Sequence, residues 1–136
     1  MYSTETEVRV RYSETDQMGY VYYGNYAAYY EVGRVEALRS LGMSYRSLEE
    51  SGIMMPVLES HSKYIKPARY DDLIRLQIII PTLPTSRITF EYKLFLEETL
   101  VHEGSTTLAF VNMETGRPMR APEAMIHLLK PFYEVK

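Results

Sequence analysis

Residues Tyr12 to Glu36, YSETDQMGYVYYGNYAAYYEVGRVE, change hydrophobic period in mid-course. Just upstream, Val8, Val10 and Tyr12 alternate with Glu7, Arg9 and Arg11, the period of two that marks a half-buried strand over Thr4 to Tyr12. Ser13 to Gly19 is polar and reads as a loop. From Gly24 or Asn25 to about Leu41 the period becomes helical: Tyr26, Tyr30, Gly33, Ala37 and Leu41 fall on one face. Asn25 has the chemistry of an N-cap, and Gly42 that of the left-handed residue that ends a helix. Such a helix is about 25 Å long at 1.5 Å per residue. Gly33 on its apolar face costs about 1 kcal/mol of helix propensity, which close approach to a sheet explains. Between strand and helix stands the acid Asp16, followed by Gly19, three tyrosines and Gly24. A helix start offers unpaired N–H groups and a positive dipole end. A carboxylate held beside it suits a reaction that builds negative charge on an oxygen.

Downstream, Ser44 to Glu50 reads as a short Ser-capped helix ahead of Ser51-Gly52. Ile53 to Lys66 is extended, with Pro56 pointing to an edge or a bulge. Leu73 to Thr82, Arg87 to Leu96 and Leu100 to Asn112 are long strands. They are separated by turns at Leu83-Pro84-Thr85 and Glu97-Glu98-Thr99, and such short links make them an antiparallel meander. Glu114 to Pro118 turns, and Pro122 to Phe132 is a short terminal helix. One long apolar-striped helix and about five strands make an α+β domain with the helix on one sheet face, and the whole chain, 1–136, reads as a single domain.

Composition narrows the function. Hydrophobic residues are 46% and charged residues 24% of the chain, an ordinary globular balance. The net charge of −3 argues against a nucleic-acid binder built on a broad basic face. There is no cysteine, which removes thiolate chemistry, disulfides and Cys-zinc sites and fits the cytoplasm. The first fifteen residues lack an apolar signal core, and Leu73 to Leu83, interrupted by Arg75, Gln77 and Pro81, is too short to span a bilayer. Of 13 tyrosines, seven fall between Tyr12 and Tyr30. They read either as a half-buried helix and interface or as a ligand-lining surface.

Other constellations fail. His61, His102 and His127 are far apart and read as surface or sheet residues. There is no HExxH, GxSxG elbow, phosphate loop or GxGxxG. Glu31 and Glu36 on the helix read as solvated or as salt-bridged to Arg34 and Arg39 at helical spacings, with Glu31 alternatively a pocket-lining residue.

Arg11-Tyr12-Ser13-Glu14-Thr15-Asp16-Gln17-Met18-Gly19-Tyr20-Val21-Tyr22-Tyr23-Gly24-Asn25-Tyr26 resembles the signature of the hotdog-fold acyl-CoA thioesterases. The likeness is to the 4-hydroxybenzoyl-CoA thioesterase family and its YbgC-like relatives. Tyr64-Ile65-Lys66-Pro67-Ala68-Arg69 with Asp71-Asp72-Leu73, and Ser86 to Tyr92, resemble later segments of that family. The resemblance implies a sheet wrapped around one long helix and a thioester hydrolase acting on acyl-CoA, with no metal or cofactor beyond the CoA of the substrate. It puts Asp16 on the catalytic carboxylate, as nucleophile or as general base. It puts the oxyanion donor at the backbone of Tyr23, with Gly24. Tyr23 stands where YbgC-like members carry His, which disfavours an imidazole-assisted mechanism. Tyr12, Gly19, Tyr22 and Asn25 become candidate substrate-binding residues, and Arg69 and Arg87 candidate phosphate contacts. A homodimer or tetramer with the site between subunits is implied. The alternatives are an acyl-ACP thioesterase and a non-catalytic hotdog protein that binds acyl-CoA or acyl carrier protein. A hotdog dehydratase is disfavoured because no His precedes Ser60.

Overall fold

The computed structural model describes residues 1–134; Val135 and Lys136, the end of the expected 1–136 domain, lie outside the described residues. In chain order the elements are β1 (Tyr2–Arg9), α1 (Tyr26–Ser40), α2 (Tyr45–Glu50), β2 (Ile53–Met54), β3 (Val57–Tyr64), β4 (Leu73–Ile80), β5 (Arg87–Leu96), β6 (Thr99–Asn112), β7 (Pro118–Met119) and α3 (Glu123–Leu129). Short 3₁₀ turns occupy Tyr12–Glu14, Tyr23–Asn25 and Lys130–Phe132. All pairings are antiparallel. The order β1-β4-β5-β6 continues to β3, and the two-residue strands β2 and β7 pair with the C-terminal end of β6. The sheet packs one face on α1, so the architecture is the α+β hotdog arrangement.

The alternation read from the sequence places the core. Ile74, Leu76, Ile78 and Ile80 of β4 and Ile88, Phe90, Tyr92 and Leu94 of β5 are buried beneath α1. From α1 come Tyr26, Tyr29, Tyr30, Gly33, Ala37 and Leu38. A Cβ on Gly33 would lie 2.9 Å from Ile78 Cγ1 and 3.1 Å from Leu76 Cδ2, so the helix sits too close to the sheet for a side chain there. Gly42, at φ +91°, ends α1 in a Schellman motif: its N–H donates to Arg39 O and that of Met43 to Leu38 O, both at 2.9 Å. Ser44 caps α2 by accepting from Ser47 N at 3.0 Å.

Several expectations shift. The first strand ends at Arg9 instead of Tyr12. Val10 N donates to Asp72 O at 2.9 Å, and the chain then coils into the Tyr12–Glu14 turn, leaving Tyr12 76% exposed. Asn25 is not a side-chain cap: its Nδ2 donates to Glu14 O at 2.8 Å instead. The extended run from Ile53 is interrupted at Met55-Pro56, and β3 is an edge strand with a register irregularity at Val57/Glu59. Pro81 stops β4 at Ile80, β6 begins a residue early at Thr99, and Pro118 enters β7. The terminal helix covers Glu123–Leu129 and tightens to 3₁₀ through Phe132. Of the two expected helix ion pairs, Arg39–Glu36 forms, whereas Arg34 turns into the core and donates to Tyr92 Oη at 3.2 Å.

Candidate active site

Asp16 lies in a tight loop closed by the bridge Thr15↔Val21. Asp16 N donates to Tyr20 O at 2.8 Å, and Gly19 N to Asp16 O at 2.9 Å. Gly19 has φ +79°, the left-handed conformation that glycine adopts without strain. One carboxylate oxygen, Oδ1, accepts from Met18 N at 2.9 Å and Tyr20 N at 3.3 Å. Oδ2 makes no hydrogen bond among the described residues. The acid is thus held by one oxygen and free at the other.

The loop is fastened on two sides. Val21 N donates to Ala68 O at 2.8 Å, and Tyr20 bridges Arg69. The Arg69 guanidinium lies 5.2 Å from the Tyr20 ring centroid, so this arginine braces the loop. On the other side is a residue that nothing in its local sequence singles out. Glu14 is buried at the knot between loop and helix. Its Oε1 accepts from Arg11 N at 2.8 Å and Tyr29 Oη at 3.0 Å, and its Oε2 from Arg11 Nη2 at 3.1 Å. Its backbone oxygen accepts from Tyr22 N and Asn25 Nδ2, each at 2.8 Å. Burial pushes the Glu14 pKa up, but the hydrogen bonds from Arg11 and Tyr29 outweigh it and hold the carboxyl below its ordinary value. In sequence Glu14 is one more charge in a polar loop; only the fold buries it.

Asp16 and Tyr23 share a cleft of about 260 Å³ with Met18, Tyr26, Tyr64 and Lys66. Asp16 also borders a neighbouring depression lined by Tyr12, Tyr22 and Asn25. Hydrogen bonding in the Tyr23–Asn25 turn begins with Asn25 N, which donates to Tyr22 O at 2.9 Å. The N–H groups of Tyr23 and Gly24 just ahead of it have no acceptor among the described residues, as expected of a helix start. At Gly24 a Cβ would lie 2.8 Å from the exposed Tyr22 ring, so a side chain there would push that ring aside. Arg87 stands apart: it begins β5, seven residues or about 23 Å from Leu94, whose partner His102 also pairs with the cleft residue Tyr64. It is not at the cleft of its own chain.

Behind the cleft lies an aromatic cluster. His102 is fully buried, stacked on Tyr26 at 4.0 Å and 3° and met edge-on by Tyr64 at 5.0 Å. Its Nε2 is hydrogen-bonded to the Tyr30 hydroxyl, which also bonds Ser62 Oγ at 2.6 Å. Burial lowers the His102 pKa to about 4 and raises that of Tyr30 to about 12. The imidazole is therefore neutral and screened from the cleft by two rings. A signal for it exists in the sequence: Leu94 and His102 continue the inward-facing alternation of their strands. By sequence alone His102 reads as an ordinary surface or sheet residue, and its contact with the cleft walls emerges only from strand pairing.

Residues 10–129 match the profile of the Thioesterase-like superfamily. The chain is 30% identical to the acyl-CoA thioester hydrolase YbgC of Shigella flexneri over 120 residues, covering 88% of this chain and 90% of that protein. It superposes on a DHNA-CoA thioesterase from Staphylococcus aureus with a TM-score of 0.88 and 30% identity, over 100% of this chain and 98% of that one. A hypothetical protein, TT1821, from Thermus thermophilus gives 0.89 and 32%, over 95% and 98%. With its helix-wrapping sheet and with a family match that runs from the end of the first strand to the last helix, the chain belongs to the thioesterase-like superfamily.

Proposed function

We propose that this protein hydrolyses an acyl-CoA thioester to the free acid and CoA-SH in the cleft between Asp16 and the start of α1. One observation carries the reading: a carboxylate with a free oxygen shares a cleft with Tyr23, where two N–H groups have no acceptor. The thioester oxygen would accept from Tyr23 N–H, with Gly24 N–H as a second donor. Those donors and the helix dipole favour the oxyanion of the tetrahedral intermediate, and one such donor is worth about 10²–10³ in rate. Asp16 either attacks the carbonyl to give a mixed anhydride or takes a proton from an attacking water. In both routes the carbonyl re-forms with loss of the CoA thiolate, a good leaving group; in the first, water then attacks the Asp16 carbonyl of the anhydride, which releases the acid and regenerates the carboxylate. No metal or redox cofactor enters the scheme. Tyr26, Tyr64 and Met18 give the acyl group apolar walls, and Lys66 sets a cation at the same cleft. Tyr12, Tyr22 and Asn25 border the adjoining depression as substrate contacts, and Gly19 and Arg69 hold the loop. Arg87 would meet a phosphate only from a second subunit.

Asp16→Asn tests the assignment, because Asn Oδ1 can still accept from Met18 and Tyr20 and keep the loop. Activity on a panel of aryl, short-chain and long-chain acyl-CoA substrates, followed by release of free thiol, should fall at least about 10²-fold with an unchanged far-UV spectrum. A fully active variant would remove Asp16 from the chemistry. Single-turnover hydrolysis in ¹⁸O-water then separates the two routes. Direct attack by water labels the first acid released, whereas attack by Asp16 leaves that acid unlabelled and puts the label in the protein.

A further inference from the structure

Arg34 is a buried cation without a counter-ion. It is 8% exposed, and none of the ion pairs among the described residues involves it. Nη1 donates to Tyr92 Oη at 3.2 Å. Nε is buried without a well-aligned partner, and so is the hydroxyl of Tyr45, which lies within hydrogen-bonding reach of the Arg34 guanidinium. Nη2 makes no hydrogen bond among the described residues, and the side chain lines a cleft. A buried charge in this state is costly unless something pairs with it.

Arg34 and Tyr45 line a cleft of about 370 Å³ with an apolar wall of Val35, Met54, Met55 and Pro56. It shares no lining residue with the Asp16 cleft, and Arg34 lies eight residues, about 12 Å, along α1 from Tyr26. We infer that this cleft binds a monocarboxylate with an apolar body, its carboxylate on Arg34, with the Tyr45 hydroxyl, buried beside the guanidinium, turning toward it as second donor, and its hydrocarbon on the methionines. One cation matches one negative charge. Glu31 and Glu49 at the exposed rim repel a dianion such as phosphate, and the wall supplies no further positive group. The inference stands apart from the hydrolase reading, because it concerns equilibrium binding at a different cleft.

The test is a titration of hexanoate, with hexanamide as the neutral control, into ¹⁵N-labelled protein and its Asp16→Asn variant. Hexanoate should move the Arg34 Nε–H resonance and the Met54 and Met55 amides in both proteins. Hexanamide should bind at least about ten-fold more weakly, the usual worth of a hydrogen bond to a charged group, and Tyr45→Phe should weaken hexanoate about five-fold. Equal binding of acid and amide, or an unchanged affinity in Tyr45→Phe, overturns the assigned site. Perturbation confined to residues 16–26 would mark a reaction product in the Asp16 cleft and also overturn it. No perturbation anywhere, as when a second copy fills the cleft with its own side chain, does the same.

Discussion

At the scale of single residues, two buried titratable groups govern how this protein responds to acid. His102 has its pKa lowered from 6.5 to about 4 by burial. As pH falls below 6.5 the unfolded chain takes up a proton that the folded chain refuses, so stability drops between pH 6.5 and about 4 and is insensitive to this group above 6.5. The full loss is about 3 kcal/mol at 1.36 kcal/mol per pH unit. Urea midpoints measured from pH 7 to 4 should show that slope, and His102→Gln should flatten it; an equal slope in the variant would assign it elsewhere. Glu14 acts lower on the scale. Its folded pKa lies below the ordinary 4.5, so its contribution is present above that value and is lost as pH falls through its folded pKa. Glu14→Gln keeps one acceptor oxygen but turns an amide N–H₂ toward Arg11. It should cost about 1–2 kcal/mol and slow turnover by loosening the Asp16 loop, as read from paired stability and rate measurements.

Between elements, two glycines set the distance of α1 from the sheet. At Gly33 a methyl group would sit 2.9 Å from Ile78. Alanine gains about 1 kcal/mol of helix propensity but overpacks the helix–sheet seam by about 1–3 kcal/mol, so Gly33→Ala should be destabilising by about 1 kcal/mol in urea unfolding. Gly104 on β6 is stricter. A Cβ there would lie 2.0 Å from the Tyr30 hydroxyl, and displacing that hydroxyl would break its bonds to Ser62 and His102. Gly104→Ala should cost about 2–4 kcal/mol, more than Gly33→Ala although each adds one methyl. The reverse order would mean that β6 yields and the tyrosine does not. Gly33 was legible in the sequence, since a glycine on an apolar helix stripe already demands a close neighbour. Gly104 was not, because its crowding comes from a side chain 74 positions away.

For the whole molecule, the open question is what covers β3. All eight of its residues, Val57 to Tyr64, are exposed, and among the described residues its one strand partner is β6. An exposed edge of this length is a template for another strand. We propose that a second copy pairs there, which would also give Arg87 a route to a neighbouring subunit's cleft. Light scattering should return at least twice the 15.9 kDa of one chain, with β3 amides protected from hydrogen exchange. A monomer with rapidly exchanging β3 amides would contradict the pairing.

The α+β class, the long helix, the meander and the Asp16 loop follow from the sequence by itself. Hydrophobic period, Gly42, Gly33 and the spacing from Asp16 to Asn25 are local properties, set by backbone geometry within a few residues. What only the tertiary structure decided involves groups distant in sequence. Glu14 became a buried knot, Asn25 a bond to Glu14 and not a cap, and Arg34 an unpaired cation in the core. Arg87 fell at the far end of its strand. Each outcome depends on which partner the fold delivers to a polar group once water is removed, and a charge in a sequence carries no mark of its burial.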